Sequence, residues 1–254
     1  MWAKARIGED AWWHRGEVIL TTAEPIVELL RLADSDVPIM GKIYYRMFRI
    51  QEQLSDLTFA PSLSAAERKA AVQIHKDRWN YLHSDYHAAG YCIDPEYHEH
   101  NQHVDAEVMT GFRAVIARHY HDNPASSSKA MVQFMAYKNS RGVFFEAGIF
   151  EQAKDMPAHE WWELYGAEIP ELQLVAMKVL SKRSSACSVE RLWSLFGLVW
   201  SDVRGSLGPK KARGLVLAGS NIRLKNKLLS MDYEATMRSH LSEPDTSDEE
   251  EEEA

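Results

Sequence analysis

SSACSVERLWSLFGLVWSDVRGSLGPKKARGLVLAGSNIRLKNK, residues 184–227, is the stretch on which the fold of this chain turns. Val189, Leu192, Trp193, Phe196 and Trp200 recur at helical spacing on one face, with Leu195, Leu198 and Val199 behind them. A helix so apolar all round belongs in a core or an interface. The serine-rich link at 184–188 supplies residues able to cap it, and the turn at 205–209 ends it. Pro209 suits the first position of a second helix, about 209–229. There the small residues Ala212, Gly214, Ala218 and Gly219 permit close packing, and Leu215, Ile222 and Leu229 serve as anchors.

Outward from this hairpin the periodicity stays helical. Residues 159–165 carry Trp161-Trp162 and stop at Gly166, and Leu172, Val175, Ala176, Val179 and Leu180 form one clean face. Residues 131–137 and 144–150 are apolar runs separated by Arg141-Gly142, and Asn123-Pro124 reads as the start of a loop through Ser126, Ser127 and Ser128. Residues 104–121 are helical, with Val108, Phe112, Val115 and Ile116 on one side. HAAGYCIDPEY, punctuated by Gly90 and Pro95, reads as a short extended or turn segment. A helix over 65–83 follows the polar break at 58–64. Before it, Met40, Ile43, Met47, Ile50, Leu54 and Leu57 form a heptad-like stripe, read as a helix packed on its own domain rather than a two-chain coiled coil, which needs more heptads. Pro25 is placed in the first turn of a helix bearing Ile26, Leu29, Leu30 and Ala33, ended by the turn at 34–38 that holds Asp34 and Asp36. The class is mainly α, with few or no β-strands.

The chain has 254 residues, 45% of them apolar, and a formal charge of −8. That charge is unevenly placed: residues 243–254 hold eight carboxylates and no Lys or Arg, so the rest of the chain is neutral. A uniformly acidic, nucleic-acid-repelling surface is excluded. The tail lacks aromatics, repels itself and is expected to be disordered. Cys92 and Cys187 cannot build a disulfide scaffold and sit in no CxxC pair, which favours a reducing compartment. No apolar stretch is long enough to span a membrane, and charges interrupt the first residues where a signal peptide would be apolar. Trp2, Trp12 and Trp13 follow Met1 without a polar leader, as though the chain opens inside a fold.

Few residues carry chemistry. Glu190, Ser194 and Gly197 form a narrow helical strip where a carboxylate could meet a metal ion. One carboxylate is a poor Mg²⁺ site, and a structural Glu190 paired with Arg191 or another cation is favoured. His83 and His87, four apart, and His98, His100 and His103 have spacings that zinc sites also use; without thiolates or an HExxH pattern they read as solvated or capping groups, and no metal site is assigned. Residues 201–230 hold seven cations, Arg204, Lys210, Lys211, Arg213, Arg223, Lys225 and Lys227, against Asp202 alone. Such a patch can contact phosphates without regard to sequence, or be simply an exposed helix face. Arg78-Trp79 could clamp a nucleotide between guanidinium and indole, although an indole filling the core is the more common use.

The stretch at 184–227, preceded by WWELYGAEIPELQLVAMKVLSKR, resembles the C-terminal dimerisation region of hAT-superfamily transposases. EPIVELLRLADSDVPIMGKIYYRM and DRWNYLHSDYHAAGYCIDPEY resemble the middle part of the same enzymes, in the same order. The resemblance implies an RNase H-like fold interrupted by a helical insertion, and DNA cleavage by a DDE triad with divalent metal. It places the triad's glutamate at Glu190, in Glu190-Arg191-Leu192-Trp193-Ser194. The family's Arg-Trp motif, involved with the DNA end, falls at Arg78-Trp79, its histidine motif at His83 or His87, and its dimerisation surface at Leu192, Trp193, Phe196 and the helix Lys211 to Leu229. The family's catalytic aspartates and its BED zinc finger lie upstream of the matching segment, and Asp34 and Asp36 are not that pair.

These readings divide the chain into a helical segment (1–57), an insertion-like region with the Arg-Trp motif (58–158), a dimerisation region (159–230) and the acidic tail (231–254). The expected function is that of a nuclear, transposase-derived protein, truncated or domesticated, that associates with itself or with related hAT proteins and performs no catalysis. Glu190 is then a vestigial triad member. DNA contacts would come from Arg78, Trp79, Lys210, Lys211, Arg213, Arg223 and Lys225, and dimer contacts from Leu192, Trp193, Phe196, Trp200, Leu215 and Ile222. No cofactor is expected, Mg²⁺ or Mn²⁺ entering only if upstream aspartates are supplied. The alternatives are a fragment of an active DDE transposase, and a DNA-binding accessory factor whose acidic tail mimics DNA.

Overall fold

The computed structural model describes residues 8–35, 37–199 and 207–229, so Trp2, Asp36, Trp200, Arg204 and the acidic tail lie outside the described residues, as do the side chains of Cys187, Val189, Arg191 and Lys227. Ten α-helices run through them in this order: α1 Asp10–Ala33, α2 Met40–Ser55, α3 Ala65–Leu82, α4 Asp85–Ile93, α5 Ala106–His119, α6 Pro124–Lys138, α7 Ala158–Tyr165, α8 Pro170–Leu180, α9 Cys187–Val199 and α10 Pro209–Leu228. Short 3₁₀ turns join several of them, and no strand occurs among the described residues. The protein is mainly α. No helix among the described residues is long and apolar enough to cross a membrane.

The segment read as extended or turn, HAAGYCI, is instead the helix at the centre of the core. Ala88, Ala89, Cys92 and Ile93 of α4 are buried, and α4 packs on both α2 and α5. Its small residues, which look like turn signals in sequence, allow helix axes to approach closely. A Cβ on Gly90 would lie 2.8 Å from the Met40 carbonyl oxygen, and one on Gly41 would lie 2.2 Å from Asp94 Oδ2. Glycine at both positions lets the start of α2 settle on α4. Asp94 is buried there, and burial pushes its carboxyl up against the opposing pull of the Lys42 ammonium, which pairs with Glu96.

Asn123-Pro124 also departs from expectation: it opens α6 rather than a loop. Asn123 Oδ1 accepts from the Ser126 N–H at 3.1 Å, and Pro124 takes a first-turn position where no N–H is required. Pro25, conversely, lies inside α1 rather than in its first turn. Thr21, whose carbonyl loses its helical donor there, is exposed and can be hydrated. The stripe on α2 is used within the chain, since Met40, Ile43, Ile50 and Leu54 are buried against neighbouring helices, while Leu57 falls past the helix end and is 74% exposed. The helix over 65–83 is present as α3, begun by a capping box between Ser64 and Glu67. The polar break before it is held by Arg68, whose buried guanidinium donates to the carbonyls of Leu54, Asp56, Phe59 and Ala60.

The largest buried side chains belong to α7. Trp161 and Trp162 are fully buried among Tyr137, Phe144 and Phe150, and each indole N–H is satisfied, Trp161 by the Ile149 carbonyl at 2.9 Å and Trp162 by the Ile93 carbonyl at 2.8 Å. The second bond answers an open carbonyl at the end of α4 and so ties α7 to the central helix. The face of α8 predicted from spacing is buried in full: Leu172, Val175, Ala176, Val179 and Leu180. The largest core cluster extends from Met40 to Leu180, and two smaller ones gather Leu32, Val37, Ile39 and Ile43, and Leu29, Ile50 and Leu54, where α1 and α2 meet.

Candidate self-association surface

α9 and α10 stand apart from that core in their packing: the main partner of each is the other. Ala212 is fully buried and Val216 nearly so, and the Leu195 side chain lies 3.9 Å from where a Cβ on Gly219 would be. The small residues of α10 thus allow contact with α9, as their spacing suggests, although nothing lies within 4 Å of a Cβ on Gly214. The remaining apolar surface of the pair is open. Trp193 is 68% exposed and Leu217 61%, and Leu192, Leu198, Leu215, Ile222, Leu224 and Leu229 are exposed as well. A helix apolar nearly all round belongs in a core or an interface, and in the single chain α9 is not in the core.

The open surface has two faces. One is a groove of about 800 Å³ between the helices, its floor formed by Leu192, Trp193, Phe196, Val216 and Leu217. The Trp193 and Phe196 rings meet at 6.2 Å and 67°, edge towards face, and Lys210 and Arg213 stand at the rim. The other face was not read as such from sequence. Lys211, Leu215, Ala218, Ile222 and Lys225 follow at spacings of 4, 3, 4 and 3, a single stripe of α10 continued by Leu229 just past its end, and all six are exposed. Contiguous apolar patches of this kind mark interaction sites on soluble proteins.

Glu190 lies in the first turn of α9 and is exposed. Its carbonyl accepts from the Ser194 hydroxyl at 3.3 Å, and nothing lies within 4 Å of a Cβ on Gly197, so the expected strip exists but faces solvent instead of flanking a core. Pairing with Arg191 and the contribution of Trp200 fall outside the described residues. Lys210, Lys211, Arg213, Arg223 and Lys225 are all exposed on α10.

Arg78 and Trp79, adjacent in sequence, have different surroundings. Arg78 is exposed, whereas the Trp79 indole is half-buried against Tyr44 at 5.5 Å, His83 at 4.8 Å and His87 at 5.8 Å. Both line an apolar cavity of about 670 Å³ between α1 and α3. His87 has a capping role: its Nδ1 accepts the Ser84 N–H at 3.1 Å, and burial, followed by the neighbouring His83, lowers its pKa to about 4. His83 approaches Glu107 at 3.5 Å, and the Tyr44 hydroxyl reaches Asp105 at 3.3 Å and Glu107 at 3.4 Å. Burial, then the Glu107 and Asp105 charges, push the Tyr44 phenol well up. Local spacing gives no sign of this cluster, in which Tyr44 lies some sixty residues from Asp105 and Glu107. His98 stacks on Phe150 at 3.7 Å and bonds the Tyr137 carbonyl, a packed core histidine. Among the described residues no group of three or more His, Cys, Asp or Glu side chains could hold a metal ion.

Residues 143–222 match the hAT family C-terminal dimerisation region, 80 of the 254 residues. The match begins within the turn at Gly142–Phe145 and takes in α7, α8, α9 and most of α10. No curated protein and no solved structure shows significant similarity to the chain. Residues 143–222 are thus similar to the hAT-type, transposase-related dimerisation region.

Proposed function

We propose that this protein acts by dimerisation through the open faces of α9 and α10, with itself or with a longer hAT relative, in the nucleus. The observation that carries the reading is Trp193: an indole 68% exposed, beside exposed Leu192, Leu198 and Leu217, inside the segment that matches a dimerisation region. Fully burying one such side chain contributes about 1.5–3 kcal/mol, so several together are needed to offset an association cost of about 4–15 kcal/mol. Within an interrupted RNase H-like architecture, these helices would form the side that meets the second subunit. Sedimentation velocity over a micromolar concentration series tests it: a shift from one to two chains is expected, and a monomer throughout would reject it.

No DNA-cleaving step is assigned to the chain. Glu190 matches only the last member of the triad that the resemblance implies, and its carboxylate would be vestigial. Incubation with duplex DNA and Mg²⁺ or Mn²⁺ is expected to give no nicking; nicking abolished by Glu190→Gln would restore the DDE-enzyme reading. Non-specific DNA contact through the α10 cations is a secondary role, supported by five exposed Lys and Arg side chains on one helix.

A further inference from the structure

Two pockets flank α1, and their polar groups are used differently. In the apolar cavity between α1 and α3 they are committed within the chain: the Thr22 hydroxyl donates to the Val18 carbonyl at 2.8 Å, His75 Nε2 meets the Met47 carbonyl at 3.0 Å, and the Ser184 hydroxyl donates to the Ala33 carbonyl at 3.1 Å. The second pocket, about 330 Å³ between α1 and α2, holds polar groups that the chain leaves unengaged. Its volume lies within the range of small-molecule sites, about 300–1,000 Å³. α1 supplies a wall of acceptors. Thr21, Glu24 and Glu28, spaced by 3 and 4, share one face of the helix, and Pro25 beside them has no N–H to offer the Thr21 carbonyl. α2 supplies a wall of donors, Arg46, Arg49 and Gln53, again spaced by 3 and 4. Arg46 Nε is shut off from solvent and has no hydrogen-bond partner. Opposite charges thus face each other across the pocket, yet among the described residues none of Glu24, Glu28 and Arg46 forms an ion pair. Arg49 is paired with Glu52 of its own helix at 3.0 Å, an exposed contact of little net strength. Between the walls the floor is apolar, with Leu29 and Ile50 buried and Phe59 half-buried.

We infer that this pocket binds a free α-amino acid with a large apolar side chain. An ammonium group carries three donors, and the α1 wall holds two carboxylates and one open carbonyl to accept them. The ligand's carboxylate meets the planar guanidinium groups of Arg46 and Arg49, which can bind it in forked pairs and give Arg46 Nε the acceptor that it lacks. The side chain then covers Leu29, Ile50 and Phe59. A ligand with one charge satisfies one wall and leaves the other desolvated and unmatched, so the pocket discriminates against simple amines and simple acids alike. The proline inside α1 acquires a purpose in this setting: it keeps the Thr21 carbonyl open, hydrated in the free chain and available to the ammonium group in the complex. None of the lining residues belongs to α9 or α10, so occupancy is separate from the association surface.

Isothermal titration calorimetry on the full chain tests it, with L-phenylalanine as the probe. Saturable binding is expected, with 2-phenylethylamine, 3-phenylpropionate and glycine each at least about tenfold weaker. No binding of phenylalanine at millimolar concentration, or equal binding of the amine or the acid, overturns the assignment. Arg46→Gln and Glu28→Gln are each expected to weaken phenylalanine at least about tenfold while the chain stays folded, since neither side chain has a partner within it. Pro25→Ala gives the Thr21 carbonyl a helical donor and is expected to unfold at no lower temperature than wild type, yet to bind phenylalanine at least about threefold more weakly. That split is one that a merely structural proline would not produce, and affinity unchanged in all three variants would show that phenylalanine binds elsewhere.

Discussion

α7 and α9 both carry tryptophan within the same family-matched region, and the chain uses them in opposite ways. Trp161 and Trp162 are fully buried with both indole N–H groups bonded to carbonyls, whereas Trp193 is left mostly in solvent beside other exposed apolar side chains. The difference lies in what each helix touches. α7 is enclosed by α8 and the turns at Pro95–His100 and Glu151–Lys154, while the main partner of α9 is α10. Tryptophan in the first place stabilises the monomer, and in the second it leaves an apolar surface open.

The largest effect that would separate the two regions is on folding. Trp162→Ala removes the biggest kind of buried side chain and leaves the Ile93 carbonyl without its donor, so a loss of about 3–5 kcal/mol is expected in denaturant unfolding. A loss below about 1 kcal/mol would mean that the α4–α7 contact is not structural.

A smaller effect comes from acid. His87 is held neutral by burial, its folded pKa lowered to about 4 from the ordinary 6.5. A base with a depressed pKa contributes stability that is fully present above pH 6.5 and is lost as pH falls towards 4, because the unfolded chain binds the proton first. Between pH 7 and pH 5 this amounts to about 2 kcal/mol, and His87→Gln should flatten that part of the stability profile. A profile identical to wild type would deny His87 its role. Smaller again is the N-cap of α3: Ser64→Ala should cost about 1 kcal/mol in thermal or chemical unfolding, without touching association.

The core was legible where one helix face repeats at regular spacing, as on α8 and α5, whose predicted residues are all buried. It was misread where small residues do the packing. Ala88, Ala89 and Gly90 resemble turn residues locally, and only the approach of Met40 from α2, far away in sequence, explains them. Pro25 and Asn123-Pro124 show the same limit, since a proline suits either a helix start or a tolerated interior position, and the hydration or capping of its neighbours decides which. The apolar character of α9 could be read from sequence, but not which of its faces the monomer leaves open. The outer stripe of α10 lay in plain spacing, with its anchors Leu215 and Ile222 identified; that they face solvent required the packing of Ala212 and Val216 on α9.

The smallest expected effect on folding accompanies the most informative one on assembly. Trp193 and Leu217 are both exposed, so Trp193→Ala/Leu217→Ala should change monomer stability by less than about 0.5 kcal/mol. Sedimentation equilibrium on this variant and on wild type is the direct test of the claim that the α9–α10 groove is the dimer contact. A dimer constant weakened by at least about a hundredfold, with unfolding unchanged, is predicted. Equal dimer constants for the two proteins would contradict it.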